Sequence, residues 1–210
     1  MKLYHSNGSP NSRRVRMLIA EKGLEVELVP IDLGTREQFS EAYRAINPRS
    51  VVPTLVLDDG TVIGEASTIM CYLDDAHALP SLYGTTAVEK AIVAMWERRM
   101  EIEGFAAVME GVRNAVAGLK GRAISGPHGY DQIPAVVERS KQRVANFYDD
   151  LEAQLGRAAF VAGDRFSAAD ITALATVDFA TKALAMPVPE THVAVKQWHE
   201  IVSARPSATA

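Results

Sequence analysis

The chain reads as an α/β half in the order β-α-β-α-β-β-α followed by an all-helical half. Three observations carry this reading. Short aliphatic and β-branched runs alternate with helical apolar spacing as far as residue 78, an Asp-Gly pair splits two strand-like runs within residues 51–63, and past residue 86 every apolar pattern has helical period. With 210 residues, 48% of them hydrophobic, there is material for two modest domains around a proper core.

Lys2 to His5 supplies a short first strand. From Asn11 the positions Val15, Leu18, Ile19 and the stem of Lys22 follow helical spacing, with Gly23 as the stop. Val26 to Ile31 predicts a second strand, and Gly34 to Ala45 a short amphipathic helix. Val51 to Leu57 and Thr61 to Ile63, joined through Asp59-Gly60, predict an antiparallel hairpin, because Asp-Gly readily takes the positive φ angles of a tight turn. Pro53 heads the first of these strands, where its missing N–H is tolerated and a cis peptide is allowed. Ala66, Ile69, Met70, Leu73 and His77 predict the next helix, starting from Glu65.

Ala78 to Thr86, with Pro80 and Gly84, breaks the pattern; residues 1–78 are read as one domain, 79–86 as linker and 87–210 as the helical domain. Val88, Ile92, Met95, Trp96, Met100, Phe105 and Met109 predict a long amphipathic helix, interrupted at most by Gly104. Val137, Val144, Phe147, Tyr148, Leu151 and Leu155 predict another, and Gly118 to Pro134 between them reads as a mobile loop or a cover over a site. Ser167 to Asp170 has the form of a capping box, with Phe166 and Ile171 placed as its hydrophobic staple. A last helix runs through Val193, Val195, Trp198 and Ile201.

A net charge of −4 gives no basis for nucleic-acid binding, which needs an excess of Lys and Arg. The single cysteine, Cys71, allows no intrachain disulfide and points to a reducing, cytoplasmic setting; its place between helix positions reads as buried and inert. There is no apolar leader at the N-terminus and no run near the ~20 apolar residues that cross a bilayer, so neither secretion nor membrane insertion is expected. The five histidines are scattered without metal-ligand spacing, and no metal is expected. No glycine-rich phosphate loop is present.

The stretch richest in chemistry is Ser9-Pro10-Asn11-Ser12-Arg13-Arg14-Val15-Arg16. Hydroxyl and amide side chains stand where a helix begins, so free backbone N–H groups and the positive end of the helix dipole favour an anion there. No cysteine or histidine is placed to act as the chain's own nucleophile, so the anion is read as a thiolate brought by a substrate. Cations in the first turns of a helix oppose its dipole, so Arg13, Arg14 and Arg16 have another purpose: an anionic ligand, or ion pairs with the helical half.

The order of elements, together with that stretch, Asn47-Pro48 leading to Val52-Pro53-Thr54-Leu55, Glu65 with Ile69, Tyr72 and Leu73, and Ser167 with Asp170-Ile171, resembles the glutathione transferase superfamily over essentially the whole chain. The resemblance implies a thioredoxin-like first domain that binds glutathione, a helical second domain that completes the pocket for a small apolar electrophile, and a homodimer. By the same resemblance Pro53 is cis, the backbone of Val52 pairs with the cysteinyl part of glutathione, and Glu65 holds the γ-glutamyl amino group. The family's usual serine after Glu65 is here Ala66, with Ser67 one place later, and a helix starting one residue late would let Ser67 compensate.

A serine-type site is implied, with Ser9 as the first-choice donor to sulfur and Asn11 and Ser12 as rivals; both serines are also ordinary helix-capping residues. The alternatives on the same layout are a glutathione-dependent isomerase or peroxidase, or a non-catalytic binding protein. Tyr4, Trp96 and Trp198 read as core or interface residues, and Met100, Phe105 and Met109 as core that can line an apolar pocket.

Overall fold

A computed structural model describes the chain from Met1 to Ala210. Strands β1 (Lys2–His5), β2 (Glu27–Pro30), β3 (Thr54–Val56) and β4 (Val62–Ile63) form one sheet in the order β2-β1-β3-β4. β1 and β2 are parallel, with Leu3 opposite Leu28, while β3 is antiparallel to both β1 and β4. A parallel pair requires a crossover, supplied by helix α1 (Pro10–Glu21); the antiparallel pair needs only the Asp59-Gly60 turn, where Gly60 has φ 86°. A 3-10 turn at Glu37–Phe39 and helix α2 (Glu41–Ile46) lie between β2 and β3, and α3 (Ala66–Ala76) follows β4.

The second half is helical throughout: α4 (Ala87–Arg99), a π-helical segment Met100–Phe105, α5 (Ala106–Ala115), α6 (Pro134–Leu155), α7 (Ala168–Ala183) and α8 (Val193–Ser203). The expected long helix is thus continuous from Ala87 to Ala115, with a π bulge at Gly104. An added Cβ on Gly104 would lie 2.6 Å from the Phe147 ring, so this close crossing of α6 requires glycine. None of the helices is long and apolar enough to cross a membrane.

The capping box forms. Asp170 Oδ2 accepts hydrogen bonds from the Ser167 N–H and Oγ, both at 2.9 Å, and Oδ1 accepts from Val161 N–H and Trp198 Nε1. Burial pushes the Asp170 carboxyl up, against these four donors. Phe166 packs against the same cluster that buries Ile171 completely.

One apolar cluster runs from Leu3, Leu18, Leu55 and Leu73 of the first half to Phe147, Leu151, Ile171 and Trp198 of the second. α1 is the hinge of this packing, lying against α3 on one side and α7 on the other. The segment between α3 and α4 is fastened by Asp74, which is buried. It accepts from Lys22 Nζ at 2.7 Å and from the N–H groups of Leu82 and Tyr83, while Lys22 also donates to the Pro80 carbonyl.

One expectation about burial is corrected, and one helix face is found open. Val88, Ile92 and Met95, apolar positions of the long helix, are exposed on α4, while Glu97 and Met100 are buried. Helical periodicity marks an apolar face without saying what covers it. Cys71 is exposed rather than buried, one position out of phase with the buried Ile69, Met70 and Leu73. Residual desolvation and the charges of Asp75 and Asp74 push its thiol up, away from a reactive thiolate.

Candidate active site

Three neighbouring cavities lie where the two halves meet, and Asn11 and Ser125 border all of them. One, of about 280 Å³, is walled by Ser9, Val52 and Gln38 on one side and by Met109, Val112 and Phe179 on the other. Another, of about 880 Å³, lies along α5, with Phe105, Met109 and Ile133. The third, of about 220 Å³, is bounded by Arg49, Val52, Pro53, Glu65 and Ala66. The loop from Gly118 to Pro134 is a cover, as one of its two readings had it. It is pinned by hydrogen bonds between Ala123 N–H and the Tyr130 carbonyl and between Tyr130 N–H and the Gly121 carbonyl. At Gly126, with φ 129°, an added Cβ would lie 3.9 Å from Arg49 Nη2 of the first half.

At the start of α1 the three rival residues divide their tasks. Ser9 is the N-cap, its Oγ accepting from the Ser12 N–H at 3.2 Å, which leaves its own O–H proton to donate. Ser12 is wholly buried, and its Oγ accepts from the Ser6 N–H at 3.2 Å, holding the loop that precedes the helix. Asn11 Oδ1 accepts from Arg14 Nη1 at 2.9 Å, so its Nδ2 donors have no protein partner. Ser9 and Asn11 border the cleft, and Ser12 does not.

The three arginines of this helix serve the packing of the halves, and Arg13 and Arg14 do so through ion pairs, the second of the two purposes allowed for them. Arg13 pairs with Asp178 at 2.6 Å. Arg14, fully buried, pairs with Glu97 at 2.6 Å and Glu101 at 3.2 Å, bonds Thr172, and lies over the Phe105 ring. Arg16 donates to the main-chain oxygens of Ser6 and Ala210. Glu97 therefore reaches the cleft through Arg14, which fixes the Asn11 amide, while Glu101 both pairs with Arg14 and borders the 880 Å³ cavity itself.

On the facing wall the Val52–Pro53 peptide is cis. Its loop is held by a buried network in which the Tyr43 hydroxyl and Asn47 Nδ2 both donate to the Val51 carbonyl and both bond Thr54 Oγ1. Burial pushes the Tyr43 phenol up, so it stays a donor. Val52, in the bend just before β3, has neither its N–H nor its C=O bonded within the protein, and its free main chain faces the cleft.

Glu65 is the N-cap of α3 at φ 63°, ψ 122°, a backbone region that costs a non-glycine residue of order 1–3 kcal/mol. No side chain caps α3, so its first N–H groups, beginning at Ala66, are open to the third cavity. Because the helix begins at Ala66, Ser67 stands inside its first turn and borders none of these three cavities, which removes the compensation expected from a later start.

Four buried side-chain polar atoms have no hydrogen-bond partner: Gln38 Oε1, Ser50 Oγ, Arg113 Nε and Arg122 Nε. All four residues border the 280 Å³ cavity. Buried polar atoms are ordinarily paired, so this grouping marks a place built to meet a polar ligand. Sequence reasoning missed these residues, together with Ser125 and Arg49. They sit on loops or mid-helix, and the only available signal was the composition of the loop from Gly118 to Pro134.

The family profile described as "Glutathione S-transferase, N-terminal domain" matches residues 3–81, and "Glutathione S-transferase, C-terminal domain" matches residues 134–200. Glutathione S-transferase 2 of Saccharomyces cerevisiae is 32% identical over 99% of this chain and 87% of its own length. The crystal structure of a glutathione S-transferase domain-containing protein from Marinobacter aquaeolei VT8 superposes with a TM-score of 0.90 at 37% identity, covering 99% of each chain. Maleylacetoacetate isomerase of Rattus norvegicus is 39% identical over 95 residues, 44% of each protein.

Proposed function

We propose, for a chain that belongs to the glutathione transferase superfamily and is a glutathione transferase, that it activates the glutathione thiol at the start of α1 for attack on a small electrophile with an apolar body. The observation that carries this reading is the convergence on Asn11 of three complementary surfaces. These are the capped N-terminus of α1, the free main chain of Val52, and the uncapped N-terminus of α3 beside Glu65. Glutathione has a part for each: a thiol, a peptide backbone, and a γ-glutamyl group bearing a carboxylate and an ammonium.

In this reading Val52 pairs with the cysteinyl backbone as an added strand would. The α3 N-terminus at Ala66 takes the γ-glutamyl carboxylate through main-chain N–H groups, and Glu65 takes the ammonium. Pro53 keeps the Val52 main chain turned to the cleft. Ser9 donates its hydroxyl proton to the sulfur, with the Asn11 amide as a second donor and Ser12 as the residue that positions the loop. A free thiol has a pKa near ~8.5, and lowering it by about two units takes roughly 2.7 kcal/mol of preferential interaction with the thiolate. One charge-assisted hydrogen bond and a helix N-terminus together reach that magnitude.

The electrophile then occupies the side walled by Met109, Val112 and Phe179. The sulfur forms a bond to its electrophilic carbon, the leaving group departs with its electron pair, and the thiol proton passes to solvent. A second reading, thiol addition and release in an isomerisation, is favoured by the match to maleylacetoacetate isomerase over 95 residues. The exposed apolar face of Val88, Ile92 and Met95 on α4 is the surface on which a second copy would pack.

Calorimetric titration with glutathione, followed by turnover of an activated chloronitroarene and of a cis-dienoic acid, tests the reading. Binding with release of chloride supports conjugation, conversion of the dienoic acid alone supports isomerisation, and no binding at millimolar glutathione overturns both.

A further inference from the structure

We infer that Arg113 and Arg122 form an anion site for the second substrate, so that the preferred electrophile carries a carboxylate, or a group of like charge, beside its apolar body. The inference rests on the reading of the cleft given above and adds a substrate class to it.

Both guanidinium groups border the 280 Å³ cavity, and neither forms an ion pair with a carboxylate. Arg113 spends Nη2 on the Ile124 carbonyl at 3.3 Å and Arg122 spends Nη2 on the Gly118 carbonyl at 2.7 Å, while each keeps a buried Nε without a partner. The nearest acid along α5, Glu110, is already committed to Arg139, Arg143 and Ser140. Burial, and after it the charge of Arg122, pull the Arg113 guanidinium below its usual pKa, as expected of two cations held together without a counter-charge. The unpartnered Nε–H of each guanidinium can donate a charge-assisted hydrogen bond to a carboxylate, so the two arginines together offer it two donors.

The anion belongs to the electrophile rather than to glutathione because of where the two arginines stand. They come from α5 and the covering loop, on the wall that carries the apolar Met109, Val112, Leu119 and Phe179. The surfaces that fit glutathione, at Val52, Glu65 and the start of α3, are all on the opposite half. Gln38 and Ser50, also on that opposite half, leave polar atoms for the glycyl end of the tripeptide.

The test compares a chlorodinitrobenzoate with its methyl ester, both of which lose chloride to the glutathione sulfur. In Arg113→Gln and Arg122→Gln, kcat/KM for the carboxylate is expected to fall about tenfold or more, while that for the ester changes less than about twofold. Arg113→Lys, which keeps the charge, is expected to recover part of the loss. An equal fall for both electrophiles, or none for either, overturns the inference. A weaker glutathione Kd in the variants that disappears when the glycyl ethyl ester of glutathione is used also overturns it, by giving the site to glutathione. Calorimetric binding of dinitrobenzoate, which has no leaving group, makes the same comparison without turnover. Weaker binding by the variants supports the site even if the native protein fails to bind glutathione, and unchanged binding overturns it.

Discussion

Ser9 is asked to do two things with one hydroxyl: accept from the Ser12 N–H as a helix cap, and donate its proton to sulfur. These are compatible, since a hydroxyl accepts and donates at once. Ser9→Ala should therefore lower stability by only about 1 kcal/mol, the usual value of an N-cap, while kcat/KM with glutathione falls by about tenfold or more. Thermal melts and steady-state kinetics on the same preparation separate the two effects, and unchanged turnover would give the role to Asn11. The sequence named Ser9, Asn11 and Ser12 as rivals because all three suit a helix start. Only the folded chain shows that Ser12 is sealed against Ser6 and that Arg14 orients the Asn11 amide. Glu65 is a second case: its identity was legible, whereas its positive φ depends on the turn between β4 and α3.

At the scale of elements, the run from α4 to α5 shows how packing overrides periodicity. Gly104, the one interruption in the sequence pattern of the long helix, lies where a Cβ would meet the Phe147 ring at 2.6 Å, inside the π segment. Gly104→Ala should cost about 1–3 kcal/mol through overpacking despite the better helix propensity of alanine, read as a lower denaturant midpoint with unchanged slope. A stabilised variant would mean that α6 can move away at no cost. The hairpin, the capping box and the order of the helices were legible because each rests on local chemistry: Asp-Gly, Ser-x-x-Asp, and apolar spacing. The outward face of α4 and the outward Cys71 were not, because which side of an apolar face is covered depends on elements far away in the chain.

Across the whole molecule, α1 ties the two halves together by charge as well as by packing. Arg13 meets Asp178, Arg14 meets Glu97 and Glu101, and Glu21 is clamped by Arg205 and Ser207. Burial alone would raise the Asp178 carboxyl, but the hydrogen bonds from His199 and Arg13 hold it below its usual range; Arg205 and Ser207 do the same for Glu21. A carboxyl whose folded pKa lies below its unfolded value of about 4 stabilises the fold fully above that value and ceases to do so as pH falls through the folded pKa. Asp178→Asn should accordingly lower Tm at pH ~6, by an amount equivalent to about 2 kcal/mol, with the gap to the native protein closing towards pH ~3. A gap independent of pH would remove the charge from the explanation. The cleft belongs to this scale too, which is why its walls were only half legible: Val52, Pro53 and Glu65 were named from one half, while Ser125, Arg113 and Arg122 enter only when the covering loop is folded over them. The central claim, that this cleft makes glutathione a thiolate, is tested most directly by titrating the ultraviolet absorbance of the thiolate in the complex of protein and glutathione against pH. An apparent pKa near ~6.5 is expected, about two units below that of the free thiol, moving back up in Ser9→Ala. A bound thiol that titrates near ~8.5, as it does in water, would contradict it.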